Sequence, residues 1–340
     1  MKSKVTIYEY FEFVKTVYNI LPIKNIKMKK ILILLITLFT LYSCNHTKDS
    51  NEIIEVNNNE TKIEKIKVTT SIIPLASITN YIGWNFIEAN SLVPAWVSPH
   101  GFNLTPSQMV DLEKSGLIVH LGIDHVDWFL NKAIRNKNNL LSVNNNIEFL
   151  ESVEHEEHGD EHGDEHGEAH SIDPHIWGNW ENAVIIAKTI SDRLSIINPE
   201  NKNYFEANLK SFKNDLELTK NDFKEMIKGK KQADFIVFHD AYNYLFKELN
   251  IDNTKKHIFR SNVLSDPNSN DIKELIDKIT QEWITVAYRE PQLDSSNLTN
   301  LSKEYNLEIL ILDPLWTDIS INWYINNYKN NLKNLEKIYE

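Results

Sequence analysis

Two α/β lobes, each with a parallel β-sheet flanked by helices, joined by one long rigid helix, is the architecture this sequence predicts. Three observations carry that expectation. Short β-branched or apolar runs alternate with amphipathic stretches in the order strand, helix, strand, the pattern of parallel α/β layers. A central stretch from Asn201 to about Lys228 contains no Pro and no Gly. At 340 residues and 41% hydrophobic, the chain has material for one large core or two ordinary ones, and two lobes fit the usual domain size of roughly 100–200 residues.

The first segment stands outside that architecture. Lys29-Lys30 precede an apolar run from Ile31 to Tyr42, and Cys44 follows it. A basic stretch and a short apolar stretch are the layout of a signal peptide, too short for a mature bilayer span. Leu41-Tyr42-Ser43-Cys44 resembles a bacterial lipobox, so Cys44 is expected to become the lipidated N-terminus and a membrane-lipid anchor. Residues 1–43 form the signal region, with Met28 as an alternative start. Residues 44–66 are rich in Asn, Glu, Lys and Thr and are expected to be a flexible tether.

The N-terminal lobe is assigned to residues 67–198. Val68-Thr69-Thr70-Ser71-Ile72-Ile73 and Leu117-Ile118-Val119-His120-Leu121-Gly122 are its predicted strands. The linking helix is assigned to 199–229. Tyr204, Phe205, Leu209, Phe212, Leu216, Phe223 and Ile227 recur among charged residues, Pro199 supplies the start signal and Gly229 the stop. At 1.5 Å per residue that helix is about 40 Å long. The C-terminal lobe is assigned to 230–340, with strands at Phe235–Phe238, Ile284–Tyr288 and Ile309–Leu312 and a helix at Asn270–Thr280.

Charge narrows the function. The first 43 residues carry seven Lys against two Glu, a surplus of five, which leaves -17 on the remainder of a chain whose formal total is -12. Such a surface repels phosphate backbones, so nucleic acid is not an expected partner, and it attracts cations. The single cysteine excludes an intramolecular disulfide and a Cys-based zinc cluster. No Walker loop, dinucleotide fingerprint or Ser-centred elbow is present. His155-Glu156-Glu157-His158 spaces its histidines three apart, unlike the His-Glu-x-x-His of zinc proteases. The chain is therefore read as a binding protein and not an enzyme.

Four places present a ligand type where a strand or a Pro-stiffened turn ends. Val97-Ser98-Pro99-His100 and Ile172-Asp173-Pro174-His175 put an imidazole on a short turn whose proline fixes φ. Phe235-Ile236-Val237-Phe238-His239 and Ile309-Leu310-Ile311-Leu312-Asp313 put a ligand just past an apolar strand. Ligands of open α/β sheets bind at such carboxyl ends. Any one of these is commonly structural; four in one chain point to a metal. Three imidazoles and a carboxylate suit tetrahedral Zn²⁺, whereas manganese favours more oxygen. Asp240 is the expected orienting partner of an imidazole. His155, His158, His162, His166 and His170 lie in an acidic segment, 151–170, with a His-Gly-Asp-Glu repeat. Its glycines each cost about 1 kcal/mol in a helix, so a surface loop with weak auxiliary metal sites is expected. His120 and His125 are expected to be structural, and His46 and His257 have no ligating context.

Read in order, the motifs resemble those of the zinc-binding solute receptors of bacterial high-affinity zinc ABC importers. The likeness runs from about Val68 to Asn334 and includes Ser71-Ile72-Ile73-Pro74-Leu75, Ser98-Pro99-His100-Gly101-Phe102 and Asp173-Pro174-His175-Ile176-Trp177. Phe238-His239-Asp240-Ala241-Tyr242, Glu290-Pro291-Gln292 and Leu312-Asp313-Pro314-Leu315 complete it. The resemblance implies that His100, His175 and His239 supply nitrogen ligands to Zn²⁺, with Asp313 or water in the fourth place, and that the metal site lies in the cleft between the two lobes. It implies delivery to an ABC importer membrane permease by a monomeric, extracytoplasmic lipoprotein. Manganese and iron receptors of the wider family generally carry a carboxylate where His239 stands and lack a long His-rich insertion, so both features favour zinc. A manganese or iron receptor of the same fold, and a metal-buffering or adhesin lipoprotein, are the alternatives. Trp96 stands where the family pattern leads one to expect glycine.

Overall fold

The computed structural model describes residues 65–99, 102–133, 138–152, 172–260, 267–314 and 317–339. Two four-stranded sheets, parallel throughout, organise them. The first is built from β1 (Ile66–Thr70), β2 (Ile87–Ser91), β3 (Leu117–His120) and β4 (Leu140–Ser142), in the order β2-β1-β3-β4. The second is built from β5 (Phe235–Val237), β6 (Lys256–Ile258), β7 (Val286–Arg289) and β8 (Glu308–Ile311), in the order β6-β5-β7-β8. Both sheets therefore share one winding: the chain moves outward from its first strand, then returns to build the other side. The reversal opens a crevice at the carboxyl ends of the two central strands.

Helices α1 (Ile73–Gly83), α2 (Pro106–Glu113), α3 (Asp124–Ala133) and α4 (Trp180–Ile197) belong to the first half, and α5 (Lys202–Ile227) is the long connector. The second half carries α6 (Asn243–Leu249), α7 (Ser269–Gln281), α8 (Ser296–Tyr305) and α9 (Trp323–Leu335). The 26 residues of α5 extend about 39 Å. Its buried residues Phe205, Phe212, Leu216, Thr219 and Phe223 recur at intervals of three, four and seven, one continuous stripe. A short 3₁₀ turn at Pro199–Asn201 precedes it, and Gly229 follows in the left-handed region at φ 77°. Among the described residues, no helix is long and apolar enough to cross a membrane.

The division of the core does not follow the division into lobes. One hydrophobic cluster runs from the first sheet through α4, α5 and α9 to the near face of the second sheet. A separate cluster fills the far face, beneath α7 and α8. Strand alternation sorts the residues. Phe235, Val237, Val286 and Tyr288 enter the first cluster, whereas Ile236, Phe238 and Ala287 enter the second. The chain's last helix strengthens this continuity by crossing back to the first lobe. Phe212 of α5 packs between Tyr81 of α1, with ring centroids 5.1 Å apart, and Tyr324 of α9, at 5.6 Å. Ser77 accepts a hydrogen bond from the Tyr324 amide and donates one to the Ser320 carbonyl, both at 3.1 Å.

Candidate metal centre

The second sheet places the first ligand type by its topology. His239 lies two residues past β5, and Glu290 immediately past the neighbouring strand β7, so both emerge at the crevice. Both are almost wholly buried, 2% and 1% exposed. Nδ1 of His239 meets Oε1 of Glu290 in a short contact, and the second Glu290 oxygen accepts from Gln292 Nε2 at 2.9 Å. A carboxylate only accepts, so the His239 proton is held on Nδ1 and the lone pair is left on Nε2.

His175 arrives from the first half of the chain and is equally buried. The Asp173-Pro174-His175 turn folds back on itself. Asp173 Oδ1 accepts from the His175 amide at 2.9 Å and pairs with its Nδ1 at 2.8 Å. This imidazole too carries its proton on the carboxylate side. Burial is the largest influence on the Asp173 carboxyl and pushes it upward. Contacts to His175, with a smaller contribution from Asn243, outweigh that and hold it below its usual range. The turn is fastened to the second lobe as well. Tyr244 donates to the Asp173 carbonyl at 3.0 Å, Trp177 Nε1 donates to the Pro314 carbonyl at 2.8 Å, and Tyr324 donates to the Trp177 carbonyl.

The two imidazoles meet with Nε2 atoms 3.4 Å apart and ring centroids 5.3 Å apart. Two nitrogens at 2.0–2.1 Å from one tetrahedral Zn²⁺ stand about 3.3–3.4 Å from each other, so this spacing fits a shared ion. Both Nε2 atoms are within reach of one shared cation or proton.

Asp313, 4% exposed, follows β8 by two residues. Asn331 of α9 grips its backbone at both ends, accepting from the amide at 3.0 Å and donating to the carbonyl at 2.7 Å, while Thr317 donates to Oδ2 at 2.9 Å. Among the described residues, no group of three or more His, Cys, Asp or Glu is gathered at ligating distance. His100 lies outside the described residues, as do Cys44 and the histidines 155, 158, 162, 166 and 170. Trp96, where glycine was expected, has φ 67°, the left-handed region that explains the expectation.

Asp240 does not take the expected orienting role. Its Oδ1 pairs with Lys256, and the carboxylate on His239 is Glu290. The reason is direction: the residue after His239 points away from the crevice, while the first residue beyond the adjacent strand points into it. Asp173 and Glu290 are the carboxylates that meet the two imidazoles, and sequence reasoning left both without a role. A signal existed for each: an acidic residue two before a Pro-presented histidine, and one just past a predicted central strand. His120 Nδ1 lies 3.3 Å from Asp127 Oδ2 and accepts from the Gly122 amide at 3.2 Å, and the side chain of His125 lies outside those described. His257 pairs with Asp234 at 3.0 Å.

Two matching α/β lobes joined by a long helix, with a carboxylate-backed imidazole past a strand end meeting another on a proline turn, have the layout of a helix-linked solute receptor for a metal ion. Residues 68–338 match the family described as zinc-uptake complex component A, periplasmic, and the chain belongs to it. The high-affinity zinc uptake system protein ZnuA of Haemophilus ducreyi is 29% identical over 277 residues, 77% of this chain and 88% of that protein. The manganese ABC transporter substrate-binding lipoprotein PsaA of Streptococcus pneumoniae is 26% identical over 259 residues, 72% of this chain and 79% of that one. A crystal structure of ZnuA shares the fold with a TM-score of 0.68 at 24% identity, covering 81% of this chain and 99% of that one. The chain is thus an extracytoplasmic receptor for a divalent metal ion that serves an ABC importer, with a membrane permease as its partner.

Proposed function

We propose that the chain captures Zn²⁺ between its lobes and hands it to the permease, with His100, His175 and His239 as nitrogen ligands and Asp313 or water completing the site. The observation that carries this reading is the pair of Nε2 atoms 3.4 Å apart, each imidazole backed through Nδ1 by a buried carboxylate. Backing of this kind fixes the metal-binding tautomer and raises ligand basicity. A nitrogen-rich donor set suits zinc over manganese. On this reading Cys44 is lipidated, residues 45–66 tether a monomeric body to the membrane, and the 151–170 segment gathers zinc weakly without forming the main site.

Titration of metal-stripped protein with Zn²⁺ and with Mn²⁺, repeated after removal of 151–170 and in His239→Ala, tests the proposal. One tight zinc site should survive loop removal and disappear in His239→Ala. Tighter binding of Mn²⁺ would make the chain a manganese receptor. Several weak sites, all lost with the loop, would make it a metal-buffering lipoprotein.

A further inference from the structure

Beside the imidazole pair lies a buried polar chain that the ligand geometry does not itself require. Lys256, on the edge strand β6, has only 7% of its side chain exposed. Its Nζ donates to Asp240 Oδ1 and, at 2.6 Å, to Asn243 Oδ1. Asn243 Nδ2 donates in turn to Asp173 Oδ2 at 3.1 Å, and the other Asp173 oxygen holds His175 Nδ1 at 2.8 Å. The chain thus runs from the outer strand of the second sheet to an imidazole contributed by the first half of the sequence.

The chemistry of each group dictates its direction. An ammonium has only donors and a carboxylate only acceptors, whereas a carboxamide has one end of each kind. Asn243 can satisfy both neighbours in a single orientation, carbonyl toward Lys256 and NH₂ toward Asp173. Asp173 alone already favours that orientation, and the ammonium anchors the amide from its other end. Without Lys256 the carbonyl loses that donor, the amide is held at one end only, and it is free to shift and weaken its grip on the carboxylate that fixes the His175 tautomer. Burial sharpens the penalty, because Asn243 and Asp173 are 8% and 1% exposed and have little water to turn to.

We propose that Lys256 is a positioning residue of the zinc site, acting through Asn243 and Asp173 to hold His175 in its metal-binding orientation. The inference rests on the zinc-receptor reading. An alternative role, neutralising Asp240 alone, is separable by experiment.

Zinc affinity, measured by competition with a chromophoric chelator, should fall about tenfold in Lys256→Met, the lower end of the range for outer contacts of a metal site. The double variant Asp240→Asn/Lys256→Met restores the charge balance and protects folding, yet should show the same loss. In an Asn243→Ala background, Lys256→Met should add nothing, since its route to the site is already cut. With Co²⁺ as a probe, Lys256→Met should shift the visible absorption bands of the site, a change that a stability defect alone does not produce. Wild-type affinity in Asp240→Asn/Lys256→Met, or an additive loss in the Asn243→Ala background, overturns the proposal. If the unaltered protein binds no zinc, the receptor reading fails and takes this one with it. Tight binding by the unaltered protein with unchanged affinity in the Lys256 variants refutes this one alone.

Discussion

Glu290→Gln is the sharpest single test of how the imidazoles are held. The carboxylate is 1% exposed, one oxygen on His239 Nδ1 and the other accepting from Gln292. Glutamine keeps the volume but brings an NH₂ group. Turned toward Nδ1, that group would force the His239 proton onto Nε2, the atom required for the metal. Even in the favourable orientation the ring loses the basicity that an anion lends it. Zinc affinity should fall about 10–100-fold, or roughly 1.4–2.7 kcal/mol. Because zinc stabilises the folded state in proportion to the logarithm of its affinity, its protection against unfolding shrinks equally. For a body of this size that is about 2–5 °C of lost thermal shift at saturating zinc. The metal-free melting temperature should move far less, since the substitution is isosteric. Chelator competition and paired melts measure both. Unchanged affinity in Glu290→Gln together with a loss in Asp240→Asn would refute the assignment of the orienting carboxylate.

Phe212→Ala removes a ring packed between α1 and α9 and should cost about 3–5 kcal/mol in metal-free protein. Denaturation followed by fluorescence and by circular dichroism should remain a single transition, because one core serves both lobes; two separated transitions would contradict that. For the same reason, metal-free and zinc-loaded forms should differ by small tilts and loop shifts and not by a wide hinge closure, which scattering or paired structures can decide. Glu248 of α6 accepts from the Trp180 amide at 2.9 Å and faces Lys220 of α5 at 3.9 Å. Burial pushes its carboxyl from 4.5 up to about 7, against the opposing pull of those two partners. The folded state therefore holds a proton that the unfolded chain releases, so stability declines as pH rises from about 4.5 through 7. Glu248→Gln should remove that slope, its advantage over wild type growing to on the order of 2 kcal/mol by pH 8 in chemical denaturation. A constant difference across this range would show that Glu248 is not the group responsible.

How far the fold could be read depended on where each strand sits. The predicted strands correspond to β1, β3, β5, β7 and β8, which include all four central strands. Buried on both faces, central strands carry consecutive apolar residues, as in Phe235-Ile236-Val237. The strands that escaped notice, β2, β4 and β6, are all edges. Ile-Glu-Ala-Asn-Ser and Lys-His-Ile mix polar residues into short runs because one side faces solvent, and their signal is lost among loops. The long helix was legible because its stripe and its Pro and Gly boundaries are local features. The course of α9 back to α1 and α5 was not, since nothing in Trp323–Leu335 specifies which lobe its apolar face will meet.

The site divides along the same line. His175 and His239 could be singled out from local context, a proline turn and a strand end, and they do come together. Asp173 stands only two residues before His175 and is a local partner, but Glu290 could not be paired with His239 from sequence, because they meet across 51 positions, nor Asn243 with Asp173, across 70. Asp240 was the nearest acidic neighbour in sequence, but adjacent residues past a strand end diverge. Only the order of strands in the sheet determines that β5 and β7 lie side by side.

A crystal structure of the zinc-loaded protein with anomalous scattering recorded at the zinc edge tests the central claim most directly. The strongest peak should lie between the Nε2 atoms of His175 and His239, about 2.0–2.1 Å from each, with the imidazole of His100 as a third neighbour. A dominant peak elsewhere, or a zinc ion that touches only one of these rings, would contradict the account.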